Sequence, residues 1–125
     1  MMATECPFCS PASIMLENRQ AYVIRDSHPV NPGHLQVISR RHVADFFDFD
    51  TTQDEKLALL VLLEQSKTWL AVQHAPDGFN IGINVGEAAG QTISHVHIHL
   101  IPRYRGDMPD PRGGVRGVIP EKQSY

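Results

Sequence analysis

The run His95-Val96-His97-Ile98-His99-Leu100 constrains this chain more than any other feature. Strict polar/apolar alternation at period two is the pattern of a strand with one buried face. Drawn out as a strand, the run sets His95, His97 and His99 on one face and Val96, Ile98 and Leu100 on the other. The apolar face needs a core, and the histidine face is left for solvent or for chemistry. Partners for such a strand are legible elsewhere. Residues 13–17 and 21–26 read as short strands around the polar turn Asn18-Arg19-Gln20, residues 34–39 as a third after the loop at 29–33, residues 79–85 as a fourth and 93–101 as a fifth. Residues 41–47 read as a short helical or irregular connection. Thr52 with Glu55 has capping-box spacing and predicts a helix running to about residue 74, ahead of Pro76 and Gly78. This order predicts an α+β domain: an antiparallel five-stranded sheet with one long helix.

At 125 residues the chain predicts a single domain over 1–125, with a core over 5–105 and a Pro/Gly/Arg-rich C-terminal tail over 106–125 whose Val115, Val118 and Ile119 are expected to bury. A formal charge of −3 argues against a sequence-blind grip on nucleic acid, which needs a surplus of Lys and Arg. The first ten residues lack the basic-then-apolar order of a secretory signal, and no apolar run approaches the ~20 residues that span a bilayer. No membrane association and a cytoplasmic location are therefore expected. Within the helix, residues 57–63 are all apolar, which covers most of the circumference where a surface helix shows one stripe. Burial on two sides follows, and in so small a domain the second cover is expected to be another copy, a homodimer.

For the histidine face the residues alone leave three readings open: a solvated polar face, a metal site and a nucleophile. Histidines two apart on a strand can ligate one ion, but a catalytic zinc usually takes three protein ligands, hydrolytic sites commonly add a carboxylate, and only Glu87 is at hand. A neutral imidazole held in one tautomer can instead attack through its unprotonated nitrogen. Cys6-Pro7-Phe8-Cys9 has the spacing of a zinc half-site; a vestigial pair and a thiol redox motif are the alternatives. His28 and His74 read as surface residues, and Arg103, Arg105, Arg112 and Arg116 as a solvated tail face.

The stretch from Gly90-Gln91-Thr92 through His95-Val96-His97-Ile98-His99-Leu100-Ile101 resembles the signature of the histidine triad superfamily, and residues 86–92 resemble its fragile-histidine-triad, diadenosine polyphosphate hydrolase branch. Asp26, the Asn31-Pro32-Gly33-His34 turn, Asn84 and the long helix match family positions too, so the resemblance spans roughly residues 5–105. It implies a homodimer with a sheet continuous across the interface, acting on nucleotides substituted at the α-phosphate, with no organic cofactor. His97 would be the nucleophile. His99 and Gln91 would hold the α-phosphate oxygens, His95 would orient the catalytic groups, His34 would support the cluster, and Asp26 would bind the ribose hydroxyls. Thr92 and the backbone N–H groups around Gly90 would add donors to the phosphate, and Asn84 would either contact substrate or cap the loop at Gly86. The resemblance also supports a structural zinc on Cys6, Cys9, His42 and His95. Three activities fit: a dinucleoside polyphosphate hydrolase releasing a nucleoside monophosphate, a nucleoside phosphoramidase, and a non-catalytic nucleotide-binding signalling protein.

Overall fold

Asn18 closes the first hairpin with its side chain. Its Oδ1 accepts hydrogen bonds from the backbone N–H groups of Gln20 and Ala21 at 3.0 and 2.9 Å, so the turn is made by an Asx residue mimicking the backbone. The computed structural model describes residues 6–49 and 53–125. From this hairpin the chain builds β1 (Leu16–Glu17), β2 (Ala21–Arg25), β3 (Leu35–Ser39), the helix α1 (Asp54–Gln73), β4 (Gly78–Gly82) and β5 (His97–Arg103). The strands lie in the order β1-β2-β3-β5-β4, each pair antiparallel. The expected α+β fold, a five-stranded antiparallel sheet with one long helix, is the fold observed.

The helix packs on one face of the sheet. Leu59, Leu62, Ser66 and Leu70, spaced three and four apart, are fully buried, and Ala21, Val23, Leu35, Val37, Ile98 and Leu100 form the same cluster from the strands. The opposite sheet face carries Tyr22, Ile24, Gln36, Ile38, His97 and His99. Within one chain α1 is thus covered on one side only: Leu57, Leu60 and Val61 remain 59, 47 and 41% exposed, and Ile81 on the edge strand β4 is 51% exposed.

Several expected boundaries move. β5 starts at His97 and not at residue 93, because the backbone ahead of it is satisfied elsewhere: His95 N–H donates to the Ile93 carbonyl and Val96 N–H to the Val43 carbonyl, each at 2.8 Å. β4 ends at Gly82, opposite His99, so Asn84 lies in the following loop and not in a strand. β1 shrinks to two residues, although Met15 N–H still reaches the Val23 carbonyl. Residues 41–47 form bends and turns, the irregular alternative. In the expected capping box, Thr52 lies outside the described residues. Gln53 is the N-cap and makes no side-chain cap, while the Glu55 carboxylate is held by the Arg41 guanidinium at 2.8–3.1 Å.

The tail forms two 3₁₀ turns, Gly114–Val118 and Pro120–Lys122, but its apolar residues do not anchor it: Val115, Val118 and Ile119 are 62, 78 and 54% exposed. A polar latch does the anchoring at its start. Asp107 accepts from Arg103 at 2.7 and 2.8 Å and from Asn31 Nδ2 at 2.8 Å, and Tyr104 Oη donates to the Pro32 carbonyl at 2.7 Å. These guanidinium and N–H contacts hold the Asp107 carboxyl well below the usual carboxylate range. The latch ties the end of β5 to the 31–34 turn.

Among the described residues no helix is long and apolar enough to cross a membrane. The packing predicts that Leu62→Ala lowers unfolding free energy by about 2–5 kcal/mol in urea titration, through lost burial plus a cavity. Val72→Ala, at a site 78% exposed, changes it by no more than about 0.5 kcal/mol.

Candidate active site

The 31–34 turn and the ends of β2 and β3 set the first half of the site. Gly33 has φ +92°, and a Cβ there would lie 2.9 Å from Leu70 and 3.2 Å from Pro102, so only glycine lets this turn press against the helix end. His34 follows it. Asp26 N–H donates to the His34 carbonyl at 3.0 Å, which extends the β2–β3 ladder one step and brings the two side chains together. The Asp26 carboxylate lies 3.3 Å from His34 Nε2 and 3.6 Å from His99 Nδ1.

Backbone groups decide which nitrogen of each imidazole carries the proton. An N–H can only donate and a carbonyl can only accept, so each contact fixes a tautomer. Val30 N–H donates to His34 Nδ1 at 3.0 Å, which places the neutral ring's proton on Nε2. His34 Nε2–H then faces His99 Nδ1 at 3.0 Å, so His99 accepts there and carries its own proton on Nε2. His97 is the opposite case: its Nδ1 lies 2.8 Å from the His95 carbonyl and must donate to it, leaving Nε2 with a lone pair. His95 Nε2 lies 2.6 Å from the Ser39 carbonyl, so its Nδ1 is the lone-pair nitrogen. Burial favours these neutral forms, pushing His34, His95 and His99 below the ordinary imidazole value; Asp26 opposes the shift at His34 and His99.

His97 sits between the other rings. It lies 5.1 Å from the His99 ring and 5.0 Å from the edge of Phe8, centroid to centroid, and is 8% exposed. His95, however, does not share the open face with its neighbours. It precedes β5, is fully buried, and turns its Nδ1 towards the cysteines, 3.3 Å from Cys6 Sγ and 3.6 Å from Cys9 Sγ. Cys9 Sγ lies 3.1 Å from His42 Nδ1. The four donor atoms of Cys6, Cys9, His42 and His95 lie within 4.8 Å of one another, and could hold a metal. A tetrahedral zinc with ordinary Zn–S and Zn–N bonds requires a sulfur-to-nitrogen edge of about 3.6 Å, so the spacing fits. The donor chemistry fits as well, since the Ser39 contact leaves His95 Nδ1 unprotonated and oriented, as outer-shell partners of ligating histidines do. Burial and the adjacent Cys6 thiol push the Cys9 thiol up, so ligation there releases protons.

Asp26, His34 and His99 make a second group of possible ligands, equally close-set. It is less suited to an ion, because the Val30 contact keeps a proton on the very His34 nitrogen that points into the group.

The loop at 86–92 departs from the expected phosphate cradle. The Gln91 side chain is spent on the backbone: Oε1 accepts from Gly86 N–H at 2.9 Å, and Nε2 donates to the Ala44 and Ile93 carbonyls at 2.6 and 3.1 Å. Gly90 and Gln91 N–H groups also donate within the loop, to the Glu87 and Gly86 carbonyls. Gln91 therefore braces the loop in this state rather than presenting donors to a phosphate. Gly90, at φ +91°, is a turn glycine. Thr92 is exposed, and Asn84 forms no side-chain hydrogen bond among the described residues, so capping at Gly86 falls to Gln91 and not to Asn84. Two surface concavities, about 600 Å³ along Leu57, Leu60 and Ile81 and about 500 Å³ around residues 103–109, lie away from the histidines, while a third of about 510 Å³ is lined by Ala44, Asp45, Gly86, Glu87, Gln91, Thr92 and Ser94, at the 86–92 loop itself.

His28 and His74 are exposed, as expected. Arg105, Arg112 and Arg116 are exposed, in line with a solvated tail face, whereas Arg103 is half-buried at the end of β5, its guanidinium held by Asp107 and Asn80. Phe8, Val30, Gln36 and Ser39 also belong to the site but were not singled out from sequence. Only Gln36 left a signal: a polar residue inside the otherwise apolar run Leu35 to Ile38.

The neutral buried histidines set a pH dependence. Their folded values are lowered, so the unfolded chain binds more protons on acidification; the stability they contribute is present above the ordinary value of 6.5 and is lost as pH falls below it. Thermal midpoints should drop between about pH 6.5 and pH 5, and His34→Gln should flatten that slope. An identical slope in the variant would contradict the assignment.

Residues 8–106 match the family described as HIT domain. The chain is 33% identical over 108 residues to an uncharacterized HIT-like protein of Methanocaldococcus jannaschii, covering 82% of this chain and 81% of that one. It is 32% identical over 107 residues to an AP-4-A phosphorylase of Mycobacterium tuberculosis, covering 83% of this chain but 54% of the longer relative. Among solved structures, a Zn-bound histidine triad family protein from Mycobacterium smegmatis superposes with a TM-score of 0.74 at 31% identity, over 87% of this chain and 82% of that one.

Proposed function

The chain belongs to the HIT domain family, and on that premise we propose that it is a nucleotide hydrolase or transferase acting at the α-phosphate of dinucleoside polyphosphates. The observation that carries this reading is the His97 tautomer, with Nδ1–H donating to the His95 carbonyl and Nε2 free to attack. The Nε2 lone pair forms a bond to the α-phosphorus as the phosphoanhydride P–O bond breaks, and the leaving polyphosphate departs with that electron pair. Positive charge arising on the ring is stabilised through Nδ1–H by the carbonyl. Water then attacks the phosphorus and releases a proton to solvent, the P–N bond breaks back to His97 Nε2 with its electron pair, and a nucleoside monophosphate leaves. His99 would donate its Nε2–H to a phosphate oxygen, with His34 and Val30 holding that proton in place; Asp26 would meet the ribose hydroxyls. Part of the support is the likeness to an AP-4-A phosphorylase.

Cys6, Cys9, His42 and His95 would hold a structural zinc, which when bound braces the segment before β5 whose carbonyl orients His97. The half-covered helix supports a homodimer: Leu57, Leu60, Val61 and Ile81 form an apolar patch beside the unpaired edge of β4.

Purified protein should cleave diadenosine tetraphosphate or triphosphate to AMP, and His97→Ala should lower turnover by about 10⁴-fold or more. Turnover of adenosine phosphoramidate alone would move the substrate class to phosphoramidates, and nucleotide binding unaffected by His97→Ala without any turnover would favour a binding protein. Metal analysis should find one zinc per chain, lost in Cys9→Ser and in His42→Asn; equal metal content in the variants would count against that ligand set.

A further inference from the structure

On the histidine-bearing face, Gln36 stands out. It is 9% exposed on β3, cross-strand from His99 in one direction and from Ile24 in the other. Directly opposed residues of antiparallel strands lie about 4.5–5.5 Å apart, so the three side chains form one row across the sheet. The Gln36 amide makes no hydrogen bond among the described residues, although it can make several. Neither is it sealed: the described side-chain polar atom that is fully enclosed without a partner is Ser66 Oγ, so the amide meets solvent through the remaining opening of the face. A ligand that covers this opening strips the amide of its water, so a ligand that completes its donor and acceptor is favoured over one that leaves them unpaired.

The neighbours say what kind of group that is. At one end of the row lies the phosphate-binding imidazole of the proposed reaction; Asp26 lies two residues beyond Ile24 along the chain. Ile24 and Ile14 are only partly buried and pack on the Cys6, Phe8, Tyr22 and Ile38 cluster, giving an apolar floor. A planar heterocycle suits that floor, and an amide offers one donor and one acceptor side by side, the pattern that base edges complement. We infer that Gln36 is a specificity-determining residue that hydrogen-bonds a nucleobase edge while the base rests on Ile24 and Ile14. This rests on the nucleotide reading above and extends it from the phosphate to the base.

The test is calorimetric binding of AMP, GMP, CMP, UMP and ribose 5-phosphate to the full chain, wild type against Gln36→Leu and Gln36→Glu, with thermal melts to verify folding. Wild type should spread the four nucleotides over about tenfold or more in Kd, as expected for one amide–base pair. In Gln36→Leu the spread should collapse below about threefold with ribose 5-phosphate unchanged. Gln36→Glu, an acceptor only when ionised, should reorder the bases towards those offering an amino group, which separates recognition from loss of packing. An unchanged spread in both variants, or an equal loss for every nucleotide, would overturn the inference while leaving the nucleotide reading intact. Failure of wild type to bind any of the five would overturn both.

Discussion

Everything at this site depends on three main-chain groups meeting three imidazole nitrogens. Val30 N–H, the His95 carbonyl and the Ser39 carbonyl each make one hydrogen bond to a histidine ring, at 3.0, 2.8 and 2.6 Å. Because a main-chain donor cannot accept and a carbonyl cannot donate, these contacts sort chemically identical side chains into different roles. His97 alone is left with an unprotonated Nε2. His34 and His99 become a chain of donors ending on the open face, and His95 is turned inward with its lone pair towards two thiols. Burial reinforces the sorting by disfavouring the imidazolium forms, which would erase the distinction between the nitrogens.

The same logic separates the two places where ligand atoms cluster. Spacing alone does not distinguish Cys6, Cys9, His42 and His95 from Asp26, His34 and His99, since each set is close enough to surround an ion. Proton placement does. In the first set the Ser39 contact frees the ligating nitrogen; in the second the Val30 contact protonates it. His95 also joins the two halves of the account, because its ring belongs to the cysteine site and its carbonyl belongs to His97. The segment before β5 is therefore held by its side chain and read out through its backbone.

Much of this was legible beforehand. The alternation at 95–100 located the sheet face and its buried side, and the all-apolar run at 57–63 anticipated a helix with more apolar surface than one sheet can cover. What stayed hidden was local backbone geometry. Period-two spacing placed His95 beside His97 and His99, yet the turn made by Ile93 and His95 and the bond from Val96 to Val43 take it out of the strand. No propensity distinguishes a Gln91 that grips a phosphate from one that bonds to Gly86, Ala44 and Ile93, because the amide serves either use. The tail's valines and isoleucine suggested burial, but its start is held by the Asp107 latch, a long-range polar contact that composition does not reveal.

The most direct measurement is the imidazole nitrogen spectrum of uniformly ¹⁵N-labelled protein near neutral pH, correlating each ring nitrogen with its carbon-bound protons. The account predicts that His97 is the Nδ1–H tautomer with an unprotonated Nε2, while His34 and His99 are Nε2–H tautomers. A spectrum with the proton on His97 Nε2, or with His34 and His97 in the same tautomer, would contradict the assignment of His97 as the nucleophile.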